Sequence, residues 1–397
     1  MREEIIHLLV RLQEGYTKRE HEKADEYAKD LFVNSEDMVI LGTSDAEWCL
    51  GFEAAKGLLI SDWKHWGDVN FDLNSLVVTE LEEIGHFRVY GYVRYNFKAS
   101  QDTYESFLKD VKEYFSNPIS WMGKISDETK LTTIAWELSH LLTGEGKRYD
   151  WQFCLSGVVV HTEEGYRFNQ LQFAIPTTYL YPDERFWEDN YYIKSHENGA
   201  QRIISYLTDH YDNAAPYVIA LQNFRNELNK ISSTAREIFE TYFYQDACSL
   251  YGTSGDVYEG KDQVVNGLER YKEVWDSIEI SSDEIIIQHK GDVAWFITQG
   301  VAKKTIGRQR AIEMEIERVK SLLEQDINTK DKLARINLSI LTMINEQTKG
   351  EEFLWPIRVE GIIKKTNDAI LIVKIGLSYP CNIILEGKNH LAKIIAD

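Results

Sequence analysis

The chain has 397 residues, 43% of them apolar and 12% aromatic, the composition of a folded protein with room for two or three domains. Its 64 acidic residues outnumber 44 basic ones, giving a formal net charge of -20. A surface of that sign repels phosphate, which argues against nucleic acid and anionic membrane as partners.

The first residues, Met1-Arg-Glu-Glu, place acids where a secretory signal needs a basic and then apolar start. No apolar run approaches the roughly 20 residues that span a bilayer. Ala369 to Leu377 is short, broken by Lys374, and reads as a buried strand. Cys49, Cys154, Cys248 and Cys381 are far apart and form no CxxC, as expected of reduced thiols in a cytoplasmic protein.

In chain order, Ile5, Ile6, Leu8, Leu9 and Leu12 fall on one face of a helix that Gly15 is expected to break. A second helix is predicted over about 19–31, then a strand over 38–41. Gly42-Thr43-Ser44 turns the chain into a short return strand, Trp48 to Leu50, and Gly51 opens a helix that ends at Trp66. Long strands follow at about 70–81 and 87–97. In the second, Phe87, Val89, Val93, Tyr95 and Phe97 share one face, while Arg88, Tyr90, Tyr92 and Arg94 share the other. Residues 100–144 read as helical in two pieces broken near Asn117-Pro118. Strands at 149–161 and 166–175 close the unit.

The pattern then repeats. After a helical linker over 182–212, two helices lead into Cys248-Ser-Leu-Tyr-Gly252-Thr-Ser, a second glycine at Gly260, and a helix that ends at Trp275. Strands at about 278–288 and 293–302, a helical insertion over 308–348 and strands at 353–364 and 370–377 complete it. Trp151 matches Trp355, Gly157 matches Gly361 and Pro176 matches Pro380 at one constant offset. The chain is a duplication, with units at 1–181 and 213–397.

Helices followed by a long antiparallel meander form an α+β layout. The apolar strand with Gly42-Thr43-Ser44, the Glu47-Trp48 to Gly51 return, the helix through Asp62-Trp63 and the strand Phe87 to Tyr95 resemble the nuclear-transport-factor-2-like fold, also called SnoaL-like or cystatin-like. Gly252-Thr-Ser254, Tyr258-Glu-Gly260 and Gly291-Asp-Val-Ala-Trp-Phe296 carry the same likeness in the second copy. The resemblance implies two tandem cone-shaped domains, each with a pocket between its helices and a curved sheet. It also implies that the halves pair as an intrachain pseudo-dimer. It does not imply one chemistry, because the family includes isomerases, cyclases, dehydratases, hydrolases and binding modules.

Ketosteroid-isomerase-like members of the family set a carboxylate base against a tyrosine in an apolar cavity, so Tyr16, Asp62 and Asp72 are candidates. None aligns with the family's catalytic positions, and Asp62 meets Tyr271 in the second copy. Among 64 acids, each is expected at the surface. Asp62 and His65, spaced i, i+3, lack a third ligand, and no metal or cofactor is expected. Motifs for nucleotide, zincin and serine-hydrolase chemistry are absent from the sequence. Aromatic residues are the stronger signal. Trp48, Tyr92 and Trp151 in the first half, and Tyr258, Trp295 and Trp355 in the second, are expected to line pockets for a small hydrophobic or aromatic molecule. Trp63, Trp66 and Trp275 fit core positions better. Arg94, with Arg88, would bind an anion if its strand face points into the cone, and Arg358 is a weaker candidate of the same kind. Binding or sensing, cofactor-free acid–base catalysis and a protein-interaction scaffold stay open as functions. A raised-pKa carboxylate hydrogen-bonded to a tyrosine would favour catalysis, and filled cones would favour the scaffold.

Overall fold

A computed structural model describes residues 1–43, 47–96, 101–116, 119–120, 123–124, 148–176, 215–327, 329–348, 350–380 and 393–395. The chain opens with α1 (Arg2–Lys18), a single 3-10 turn and α2 (Ala24–Leu31). The hairpin β1 (Val39–Leu41) and β2 (Trp48–Leu50) leads into α3 (Phe52–His65), then β3 (Asp68–Leu81) and β4 (Ile84–Asn96). After α4 (Gln101–Ser116), the short strands β5 (Ile119–Ser120) and β6 (Gly123–Lys124) pair where a second helical piece was expected. Most of that piece lies outside the described residues. The unit closes with β7 (Arg148–Thr162) and β8 (Gly165–Ala174).

The whole 182–212 linker expected from the sequence also lies outside the described residues. The second series runs α5 (Ala215–Leu228), α6 (Ala235–Tyr242), β9 (Ser249–Tyr251), β10 (Val257–Glu259), α7 (Lys261–Val274), β11 (Ser277–Lys290) and β12 (Val293–Thr305). The second insertion forms two helices, α8 (Arg308–Glu324) and α9 (Thr329–Thr348), before β13 (Glu352–Lys365), β14 (Ile370–Ser378) and β15 (Lys393–Ile395).

The strand orders show the duplication. One sheet runs β2-β1-β8-β7-β4-β3 with β15 paired to β7, and the other runs β10-β9-β14-β13-β12-β11. In each, a parallel step joins the short hairpin to the long antiparallel meander. This is the α+β layout of two curved sheets with helices expected from the resemblance. The matched second glycines, Gly51 and Gly260, have φ of 85° and 78°, a region open to glycine at little cost, and each sets the entry angle of its helix. Gly15 does not break α1. A side chain there would crowd Trp63, so the glycine lets α3 approach α1 closely.

Each unit has its own core between helices and sheet. Phe87, Val89 and Val93 of β4 enter the first, and Ala294 and Phe296 of β12 enter the second. The opposite strand faces meet each other. Val39, Leu41 and Trp48 pack with Ile286 and Ile297, while Leu81, Ile84 and Val158 pack with Val293, Trp295, Ile362 and Val373. Polar partners cross the same contact. Trp295 Nε1 donates to Asn169 Oδ1 at 2.7 Å, Gln288 Nε2 to the Asp37 carbonyl at 2.6 Å, and Tyr90 OH to the Gly255 carbonyl at 2.6 Å.

Gly157 and Gly361 occupy equivalent sites in their meanders. A β-carbon at either would collide with the backbone carbonyl of the neighbouring strand and would also press on the ring of Phe87 or Phe296. Gly157→Ala and Gly361→Ala are each expected to cost about 1–3 kcal/mol of stability by overpacking. Gly57→Ala, where nothing lies within 4 Å of the new atom, should instead gain about 0.5–1 kcal/mol through helix propensity. Urea unfolding of the three variants checks the ranking.

Candidate functional site

The residues predicted to line pockets separate into three groups. Trp48, Trp295 and Arg358 lie between the two sheets. Trp48 and Trp295 belong to the two inter-sheet apolar clusters, and the Arg358 guanidinium lies 5.8 Å from the centre of the Trp48 ring. Trp355 is in the second core, edge-on to Trp275 at 4.8 Å. Tyr258 packs against that core and accepts from Arg270 Nη1 at 3.3 Å. Tyr92 and Arg94 share the outer face of β4, where Arg94 makes two 2.9 Å hydrogen bonds to Asp150 and covers Tyr92. The side chains of Trp151 and His65 lie outside the described residues.

The arginine-bearing face of β4 therefore points away from the cone. Arg88 is buried against Tyr251 of the other unit, 4.3 Å from its ring centre. Beside it, His86 Nδ1 lies 3.1 Å from Lys374 Nζ, and His86 Nε2 lies 3.8 Å from Glu360. Burial pushes His86 down to about 4 and Lys374 down to about 7. Lys374 interrupts its apolar run because β14 turns that position toward the other sheet.

The first cone contains a different arrangement. Tyr16, on the last turns of α1, donates to Asp62 Oδ2 on α3 at 2.5 Å. Asp62, expected at the surface, is partly buried. The reason is close packing of the helices: Gly15 lets Trp63 in, and this brings Tyr16, the residue after Gly15, against Asp62, the residue before Trp63. Asp72, by contrast, is exposed as expected and accepts from the Asn74 amide at 3.1 Å. Around the Tyr16–Asp62 pair stand Thr43, Glu47, Leu58, Trp66 and Phe173, and the space they leave is about 10 Å³, room for one water.

Burial pushes the Asp62 carboxyl up to about 7; the Tyr16 hydrogen bond pulls it back and the nearby Glu47 charge raises it further. Burial and the Asp62 charge hold the Tyr16 phenol well above its usual range, so it stays a neutral donor. A carboxyl divided between its two forms near neutral pH, held by a phenol, can take and return a proton. Among the described residues the second cone has no such pair. Tyr271 stands at the Asp62 position and accepts from the Thr253 amide at 3.2 Å. Among the described residues no group of three potential metal ligands is found, and no helix is long and apolar enough to cross a membrane.

No family model and no curated protein matches the chain. Solved structures do match. A nuclear-transport-factor-2-like superfamily protein from Salmonella enterica is 11% identical, with 45% of this chain and 94% of that one covered and a TM-score of 0.28. A ketosteroid isomerase-like protein from Erwinia carotovora is 12% identical, covering 43% and 99%, with a TM-score of 0.26. A protein with a cystatin-like fold from Nostoc punctiforme is 13% identical, covering 44% and 96%, with a TM-score of 0.27. Each match takes in less than half of this chain, the share that one of its two units occupies.

Asp62 gives a pH signature. Its folded value, about 7, lies above the ordinary 3.8, so the folded state holds this proton more tightly than the unfolded state. The stability it contributes is full below about pH 4 and is lost as pH rises through 7. His86, displaced downward, has the opposite slope between its folded value of about 4 and its ordinary 6.5, so the informative quantity is the difference between wild type and Asp62→Asn. The variant should gain roughly 1–3 kcal/mol relative to wild type between pH 4 and pH 8, less than the full shift implies because Asp62 keeps some contact with solvent. Urea titrations at the two pH values measure it.

Proposed function

We propose that the first unit is a cofactor-free acid–base site for a small uncharged molecule, and that Asp62 is the group that moves the proton. The observation that carries this reading is the 2.5 Å Tyr16–Asp62 hydrogen bond at the cavity, with the carboxyl raised to about 7. The reaction class that fits is proton removal next to a carbonyl, as in an isomerase or lyase. Tyr16 orients the carboxyl, and Thr43, in the cavity wall, offers a hydroxyl to a substrate oxygen. A substrate larger than water enters when Leu58 and Trp66 move aside. The second unit, with Tyr271 at the matched position, serves as structural support.

We also propose the chain as an intrachain pseudo-dimer of units 1–181 and 213–397 paired through their sheets, working in the cytoplasm. The hydrogen bonds and apolar clusters between the sheets support it. A chain cut within 182–212 should stay together as a one-to-one complex on size-exclusion chromatography; separation of the pieces would refute the pairing.

The catalytic reading is tested by hydrogen–deuterium exchange at the α-carbon of small ketones such as cyclohexanone, followed by NMR. The wild-type protein should accelerate exchange, and Asp62→Asn should reduce the acceleration by about 100-fold or more. Tyr16→Phe should lower it less and shift its pH dependence. A second reading, the interaction scaffold, is favoured by the small volume left in the first cone. An absence of protein-dependent exchange, or exchange indifferent to Asp62→Asn, would select the scaffold.

A further inference from the structure

The turn that follows β1 forms one wall of the Asp62 cavity. Its Gly42 amide donates to the Glu47 carbonyl at 3.0 Å, which closes the turn, and Thr43 and Glu47 face the cavity. A side chain at Gly42 would collide with the Glu47 carboxylate, so Glu47 lies folded over the turn's own backbone. Glu47 is one of the groups that raise Asp62. The position of this turn therefore bears directly on the acid–base pair.

What holds the turn from outside comes from the other half of the chain. Arg358 of β13, only 2% exposed, donates through Nη1 to the Gly42 carbonyl. The same guanidinium lies 5.8 Å from the centre of the Trp48 ring, one residue beyond Glu47. One buried side chain thus touches both ends of the turn, and it reaches 316 residues along the sequence to do so. The Cys154 position in the first unit, which matches Arg358 by the repeat, could make neither contact, because a thiol lacks the reach and the paired donors of a guanidinium. The turn after β9 is touched from the first unit by Tyr90, which donates to the Gly255 carbonyl, but its cone has Tyr271 in place of the acid.

We propose that Arg358 is a positioning residue for the site in the first unit, holding Gly42 and Trp48 in place so that their neighbours Thr43 and Glu47 stay against Asp62. On this proposal the second unit, which has Tyr271 where the first has Asp62, supplies the first with a fixed wall. The inference rests on the acid–base reading of Asp62 for its importance but is measured separately from it.

The test uses the full chain with carboxyl-13C aspartate, and two readouts. The first is the Asp62 titration midpoint, assigned by its loss in Asp62→Asn. The second is amide hydrogen exchange of Gly42. Arg358→Met, which keeps the length of the side chain and loses its donors, should lower the midpoint by about one pH unit as Glu47 moves off. It should also speed Gly42 exchange at least tenfold. Arg358→Lys, which keeps the charge and one donor, should fall between the two, and it carries the test alone if the methionine variant does not fold. Trp295→Phe removes a different buried hydrogen bond between the sheets and should leave both readouts unchanged. An Arg358→Met protein with wild-type midpoint and exchange would overturn the clamp. So would a Trp295→Phe protein that shifts as far as Arg358→Met, since the effect would then be general loosening. If the midpoints behave as expected but no ketone exchange is catalysed, the catalytic reading fails and the clamp stands.

Discussion

Polar side chains on the outer face of a sheet can be buried only where something opposite supplies their partners. In this protein the facing sheet does so. Asn169 meets Trp295, the Asp37 carbonyl meets Gln288, and His86 meets Lys374. Removing one member of such a pair leaves the other buried without a partner, which costs more than the bond contributes. The contact between the sheets therefore fixes their relative position as well as adding stability. It also decides which side of every long strand faces which core.

With both faces of the meanders covered, the cone interiors can be specialised independently. The first retains a carboxyl raised to about 7 against a phenol, while the second puts Tyr271 at the matched position and satisfies it with a backbone amide. Keeping a half-protonated carboxyl inside a fold has an energetic cost at neutral pH, and a purely structural position would be expected to shed it. The pair is therefore a property of the first unit, and Tyr271 with the Thr253 amide is the matched arrangement in the second.

The buried charges between the sheets and the pair inside the first cone respond to pH in opposite directions. His86 is pushed down by burial and by Lys374 beside it, whereas Asp62 is pushed up by burial and by Glu47. The same low-polarity surroundings act on both and disfavour whichever form carries charge. A single stability curve therefore blends the two, and only variants separate them.

The duplication, the order of helices and strands and the α+β class were legible in the residues, because they depend on local periodicity and on glycines at fixed places such as Gly51 and Gly260. The two faces of β4 were legible too, since side chains alternate along a strand. Which face looked into the cone was not, because both faces are buried and alternation alone does not label them. Trp48, Trp295 and Arg358 were read as pocket residues on those grounds and lie between the sheets. Tyr16 and Asp62 were both visible as candidates, yet their pairing was hidden by a separation of 46 positions in the sequence. Nothing local marks which of 64 acids will be buried; that follows from the close approach of α1 and α3. The contact of Arg358 with Gly42, 316 residues apart, exists only where the two meanders meet, and tertiary structure alone decides it.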